Sequence, residues 1–167
     1  MKITRRMVMD LKPCYSEQKI DEIAAGRDFV SHEDIAALYI RWEDKIWLLT
    51  RLMTSEKRGT YARRVALDVA DFWDCPDITR RWLETGDESL REEAFEAAFE
   101  ASEAAGSAER AAAAAIESSR AADIEPLFAE RASWAAVEAA LSAGLVNEKQ
   151  LYLDWAVELL LEKQSEK

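Results

Sequence analysis

Glycine and proline are scarce in this 167-residue chain, five and three respectively, where average usage of roughly 7% and 5% would supply more than twice as many. An all-β fold needs frequent tight turns and is excluded by that shortage, which leaves helices joined by few breaks. Histidine occurs once, at His32, and the sequence has no HExxH, EF-hand loop, CxxC or E-x-x-H pair. The usual ligand patterns for zinc, calcium and di-iron sites are therefore missing, and neither a metal nor a cofactor is expected. Cys14 and Cys75 are too few for a disulfide framework, and each is read as an inert, buried, small hydrophobe. No apolar run reaches the ~18 residues of a membrane span, and the longest, residues 46–53, is interrupted by Arg51. The opening MKITRRMVMDLK lacks the apolar core and small-residue cleavage site of a signal peptide. The expectation is a cytoplasmic protein with no membrane partner, in the host cytoplasm if phage-encoded.

Hydrophobic residues make up 49% of the chain, with six Trp, five Phe and four Tyr, so a buried core is expected rather than disorder. Charge is placed unevenly. Residues 1–64 carry 13 Lys and Arg against 10 Asp and Glu, a balance of +3, whereas residues 65–167 carry 9 against 23, a balance of −14. A field of that sign repels phosphates and attracts basic protein surfaces. Direct nucleic-acid binding is not expected; a protein partner with a basic surface is.

Helix signals follow one another along the sequence. Thr4 is placed to cap a short helix over residues 5–11 that Pro13 stops. Ser16 caps the next, with Ile20 and Ile23 on its inner face and Gly26 in its closing turn, and Ser31 with Asp34 forms a capping signature before Ile35, Leu38 and Tyr39. Trp42, Ile46, Leu49 and Met53 then make an apolar stripe with Trp47 beside it. The polar run SEKRGT, residues 55–60, reads as a break between an N-terminal helical part, 1–54, and an acidic, alanine-rich remainder, 60–167, the two forming one continuous domain because sixty residues make a marginal core alone.

Beyond that run Val65, Val69, Phe72 and Trp73 share a stripe, Pro76 and the capping residue Asp77 open a helix with Ile78 and Trp82, and Gly86 closes it. Asp123 is placed to cap a later helix with Pro126 in its first turn. That helix has a heavy stripe of Leu127, Trp134, Val137 and Leu141 and a light one of Ala132, Ala136, Ala139 and Ala143. Asn147 opens the last helix, whose apolar face is Leu153, Val157, Leu160 and Leu161. The reading is all-α: an irregular or orthogonal bundle of roughly eight or nine helices, with no strand and with most tryptophans in the core.

The stretch 92–123, EEAFEAAFEASEAAGSAERAAAAAIESSRAAD, is low in complexity but periodic. Ala94, Ala97, Ala98, Ala101 and Ala105 fall on one helical face with Phe95 and Phe99 alongside, Gly106-Ser107 breaks the segment, and a second alanine helix follows with Ile116 as its one large apolar residue. Glu92, Glu96, Glu100 and Glu103 lie on another face with no Lys or Arg among them. Their mutual repulsion, roughly 0.2–0.5 kcal/mol per pair, is outweighed by alanine's helix propensity, up to about 0.7 kcal/mol per residue. With Asp87 and Glu88 they form an acidic edge, the candidate partner-binding surface.

Catalytic patterns are sparse. Cys14, Cys75 and His32 carry no local nucleophile signature, single glycines at 26 and 59 make no phosphate-cradling loop, and paired acids such as Glu92-Glu93 suit helix starts. No catalytic residue is assigned and an enzyme is not expected. The basic cluster Lys57, Arg58, Arg63 and Arg64, with Arg5 and Arg6, is read as a solvated face balancing the acidic helices.

The order of a K-P-C turn, the D-x-x-W of Asp44 to Trp47, the AxxVA of residues 66–70, a WLETG turn and an alanine-rich repeat resembles small alanine-rich helical proteins of phages and prophages. The segment RRVALDVADF…RRWLETGDESLREEAFEAAFEASEAAGSAERAAAAA also resembles the immunity-protein family 5. The resemblance spans residues 40–143 and implies a setting of phage–host or toxin–immunity conflict. The resulting expectation is a non-enzymatic inhibitor of phage or mobile-element type, such as an anti-CRISPR or other anti-defence protein, that blocks a basic nucleic-acid-handling protein. A toxin-neutralising immunity protein is one alternative, and a structural protein that self-assembles as a homodimer through alanine faces is another.

Overall fold

The first helices start where short polar side chains take up their unpaired N–H groups. A computed structural model describes residues 2–102, 106–142 and 148–162. The Met7 N–H donates to the Thr4 hydroxyl at 3.3 Å at the head of α1 (Arg5–Asp10), and the Lys19 N–H donates to Ser16 at 3.2 Å at the head of α2 (Glu17–Ala24). Such a cap is worth about 0.5–2 kcal/mol, enough to set the boundary of a one- or two-turn helix. The Ser31–Asp34 capping box is reciprocal, at 2.7 and 3.1 Å, and opens α3 (His32–Ala37).

One strand pair departs from the all-helical expectation: β1 (Ile3–Thr4) runs antiparallel to β2 (Phe29–Val30), Ile3 opposite Val30. Two residues per strand are too few to leave an alternating pattern in the sequence. The ribbon ties the start of α1 to the approach of α3, so the short N-terminal helices form a closed unit.

After α4 (Trp42–Leu52), the run SEKRGT is not a break. It forms the first turns of α5 (Ser55–Asp68), capped by Thr54. Its Gly59 is buried, and a Cβ there would lie 3.2 Å from the Asp123 side chain. The approach is tight at this point because the chain at residue 123 closes against the helix.

Helix α5 is the hub of the bundle. It packs against α6 (Asp77–Thr85), α8 (Ser107–Arg120), α9 (Pro126–Ser142) and α10 (Glu148–Leu161), while α7 (Arg91–Ser102) lies against α6 and α8. Short 3₁₀ turns at Ala70–Phe72 and Glu88–Leu90 complete the path. Ten α-helices are present among the described residues. The all-α reading holds, with one or two more helices than expected because the N-terminal segments break at every cap.

Two caps differ from expectation. Pro76 occupies the N-cap of α6 without a side-chain bond, and Asp77 is the first helical residue, where its charge complements the helix dipole. Asp123 does not cap α9; its carboxylate accepts from Arg91 at 3.2 Å, and α9 starts at Pro126. Gly86 closes α6 as expected, left-handed at φ 65°, with its N–H donating to the Trp82 carbonyl at 2.8 Å. Gly106 stands at the N-cap of α8, so the low-complexity stretch is two packed helices.

One hydrophobic cluster runs from Ile3, Ile35 and Ile46 through Tyr61, Val65 and Trp82 to Ala136, Tyr152 and Leu159, joining residues on both sides of the 55–60 run. Its composition inverts the expectation for α9. Ala132, Ala136 and Ala139 are fully buried, whereas Leu127, Trp134 and Leu141 of the heavy stripe are 37–48% exposed and only Val137 is covered.

The reason lies in the neighbour. Helix α8 presents Ala112, Ala115 and Ile116, and two alanine faces let helix axes approach where leucine faces would hold them apart. The tryptophans follow suit: Trp82 alone of the six is buried, and the others lie at the edge of the core or are exposed. In α10, Leu153 is buried as expected, Leu161 is exposed, and Tyr152, Ala156 and Leu159 complete the covered face. Glu103, Ala105, Ala143 and Asn147 lie outside the described residues.

Candidate functional site

Helix α7 carries most of the predicted acidic edge, and the structure divides it. Ala94 and Ala98 face the core, which turns the glutamate row outward. The Asp87 carboxylate accepts from the Ser89 N–H at 2.9 Å and its hydroxyl at 2.7 Å, bonds that hold its pKa below the usual carboxylate range. Glu88 pairs with Arg91 at 2.7 Å, and Glu92 takes two bonds from Arg120 of α8, at 2.9 and 2.7 Å. Glu96 and Glu100 are exposed and form no ion pair among the described residues. Glu103 is outside them.

Beside this row Phe95 and Phe99 stack, their ring centroids 6.5 Å apart. Arg120 covers Phe95 at 4.4 Å, while Phe99 stays 50% exposed. The free part of the edge is thus an exposed aromatic flanked by two unpaired carboxylates roughly 6 Å apart along the helix axis.

The basic cluster divides: Lys57 and Arg58 are used inside the fold, whereas Arg5, Arg6 and Arg64 lie at the surface in pairs with carboxylates. Lys57 donates to the carbonyls of Leu159 and Glu162 at the end of α10. Arg58 donates to the carbonyls of Met53 (2.8 Å), Ala122 (3.2 Å) and Asp123 (3.3 Å). Arg64 pairs with Glu158 at 2.7 Å and lies over the Trp155 ring, and Arg5 pairs with Asp21 at 2.6 Å and Glu17 at 2.9 Å. Lys57 and Arg58 satisfy carbonyls that helix ends leave without partners.

Sequence reasoning missed a cavity of about 420 Å³ between the N-terminal unit and the bundle. One wall, from the ribbon and α1 to α3, is apolar and includes Ile3, Val8, Ile20, Ile35 and Leu38. The facing wall brings Asp44 and Trp47 of α4 to Glu130 and Trp134 of α9, with Cys14 and Tyr15 from the α1–α2 loop. Asp44 and Trp47 are the D-x-x-W pair singled out above, and that spacing was the only signal of the site. Glu130 and Trp134, four residues apart on one face of α9, were assigned to no site.

Tyr15 donates to Asp44 at 2.5 Å, a bond that pushes its phenol up to about 12. Glu130 forms no hydrogen bond or ion pair among the described residues; burial, with the Asp44 charge, holds its carboxyl above the usual range against the pull of Arg51. Trp134 meets Trp42 edge-on at 6.1 Å, and Arg51 lies over Trp47 at 5.1 Å.

The cysteines differ from expectation and from each other. Cys14 is exposed at the cavity rather than buried, whereas Cys75 is half-covered and burial pushes its thiol up to about 11. His32 is buried, with neither ring nitrogen hydrogen-bonded, and neither it nor Cys75 lines the cavity with Cys14. The structure does not assemble the three into one site. Among the described residues no group of His, Cys, Asp or Glu is placed to hold a metal ion, and no helix is long and apolar enough to cross a membrane. No protein-family model, curated protein or solved structure matches the chain.

Proposed function

We propose that this is a non-enzymatic inhibitor that docks through the outer face of α7 onto a basic surface of another protein. The partner is of the nucleic-acid-handling kind that phages and mobile elements block. The observation that carries the reading is Phe99, half exposed beside the unpaired Glu96 and Glu100. An aromatic side chain supplies an anchor that can be desolvated on docking, and the acidic rim supplies partner choice and a fast encounter. The internal use of Lys57 and Arg58 is consistent with the same reading, because it withdraws two cations of the basic cluster from the surface.

The test compares immobilised wild-type protein with an E92Q/E96Q/E100Q variant in extract of the source cell cleared of nucleic acid. A basic protein should be retained by the wild type at low ionic strength and lost both to the substitutions and to ~1 M salt, where charge attraction is screened within about 3 Å. A partner retained equally under all conditions would sink the acidic-face reading.

A further inference from the structure

The cavity between the N-terminal unit and α4 and α9 belongs to no part of the docking face, and its walls differ in chemistry. Its volume, about 420 Å³, lies in the range of small-molecule sites, roughly 300–1,000 Å³. The basic residues at its rim are largely engaged: Arg5 by Asp21 and Glu17, Arg27 by Asp34 at 3.6 Å, and Arg41 by Glu43 at 3.4 Å, with Lys12 exposed. On the bundle wall the balance is opposite. Among the described residues Asp44 is bonded to the neutral Tyr15 phenol and Glu130 forms no bond, while the cations whose charge reaches them are engaged elsewhere: Arg51 is stacked on Trp47, Arg131 lies over the Phe128 ring and Arg41 is paired with Glu43. Two carboxylates thus face an apolar space beside the rings of Trp134 and Tyr15.

We infer that this cavity binds a small amphipathic organic cation, a protonated amine on an apolar or aromatic body. The body lies against Ile3, Val8, Ile20 and Ile35, and the ammonium sits between Asp44 and Glu130 at the rings of Tyr15 and Trp134. Desolvated carboxylates gain a counter-ion, and aromatic faces add cation–π attraction. An anion of the same shape meets the two carboxylates and is rejected. The raised pKa of Glu130, held up by burial, fits a carboxylate with no bonded partner among the described residues.

The experiment is a calorimetric titration with three probes of one shape: phenylbutylamine, phenylbutanol and phenylbutyrate. The amine is expected to bind about ten-fold tighter than the alcohol, a margin cation–π and charge attraction together supply, with the acid weakest. Occupancy by the amine should slow alkylation of Cys14, which lines the cavity. Glu130→Gln and Asp44→Asn should each abolish the amine's advantage while retaining the alcohol's affinity, which also reports that the variant is folded. Equal binding of the three probes, no measurable binding of the amine, a preference that survives both substitutions, or amine binding that leaves Cys14 equally reactive would each overturn the inference. None of these outcomes bears on the α7 face, so this site and the docking face fail or stand separately.

Discussion

The N-terminal unit and the alanine-rich helices solve the packing problem in opposite ways. Residues 2–52 use short helices with large side chains, and their irregular fit leaves a cavity beside Trp47 and Trp134. Helices α8 and α9 pack closely on each other with alanines buried on both, and Leu127, Trp134 and Leu141 of α9 are displaced outward. Small side chains bury little area each but permit close approach, so dispersion contacts between backbones replace some of the lost transfer energy.

Substitutions that exchange these roles should break the contrast, and the largest effect is expected at Trp82. Trp82→Ala removes a side chain only 1% exposed and should cost about 3–5 kcal/mol. Trp134→Ala, at a ring 42% exposed that makes one edge-on aromatic contact, should cost about 1 kcal/mol. Urea denaturation of the two variants measures both; equal losses would mean that the outward tryptophan is structural after all.

Next in size is a pair of identical substitutions on the two sides. Ala136→Leu overfills the buried face of α9 and should lose about 1–3 kcal/mol, while Ala24→Leu, which adds volume at the cavity wall, should stay within about 0.5 kcal/mol of the wild type. The same denaturation series separates them.

A pH series sharpens the electrostatic side of the contrast. Because burial raises the folded-state pKa of Glu130 above its ordinary 4.5, the folded protein holds a proton that the unfolded chain releases over the window beginning near pH 4.5. Stability from this group is therefore present below that window and is lost as pH rises through the folded value. Glu130→Gln should flatten that fall and leave the protein at least as stable at neutral pH. A steeper decline in the variant would show that attraction to Arg51 outweighs burial.

The smallest effect belongs to α7. Glu96→Gln removes repulsion with Glu92 and Glu100 and should raise stability by about 0.2–0.5 kcal/mol per pair, read as a small upward shift in thermal midpoint. A loss instead would reveal a contact made by Glu96 in the folded state.

Much of the fold was legible because its signals are local. Thr4, Ser16, Ser31 and Gly86 announce helix ends through bonds three or four residues long, and alanine periodicity marked α7 and α8 as helices rather than linker. The run at 55–60 was misread because its polar residues serve distant partners: Lys57 reaches α10 and Arg58 reaches residues 122 and 123. The acidic edge was legible as a row of like residues, but its partial neutralisation by Arg120 was not, since that arginine comes from the next helix. The cavity was least visible, being made by residues that meet only when α4, α9 and the N-terminal loop are in place.

By itself the sequence determined the helical class, most helix starts and the sign of the C-terminal charge, because caps, propensity and charge act within a few residues or by simple sum. Only the tertiary structure decided which face of each helix is covered. An amphipathic stripe states that a face is suited to burial, but whether leucine or alanine turns inward depends on how closely the neighbouring helix can approach. For α9 that neighbour is itself alanine, and so the light face is the buried one.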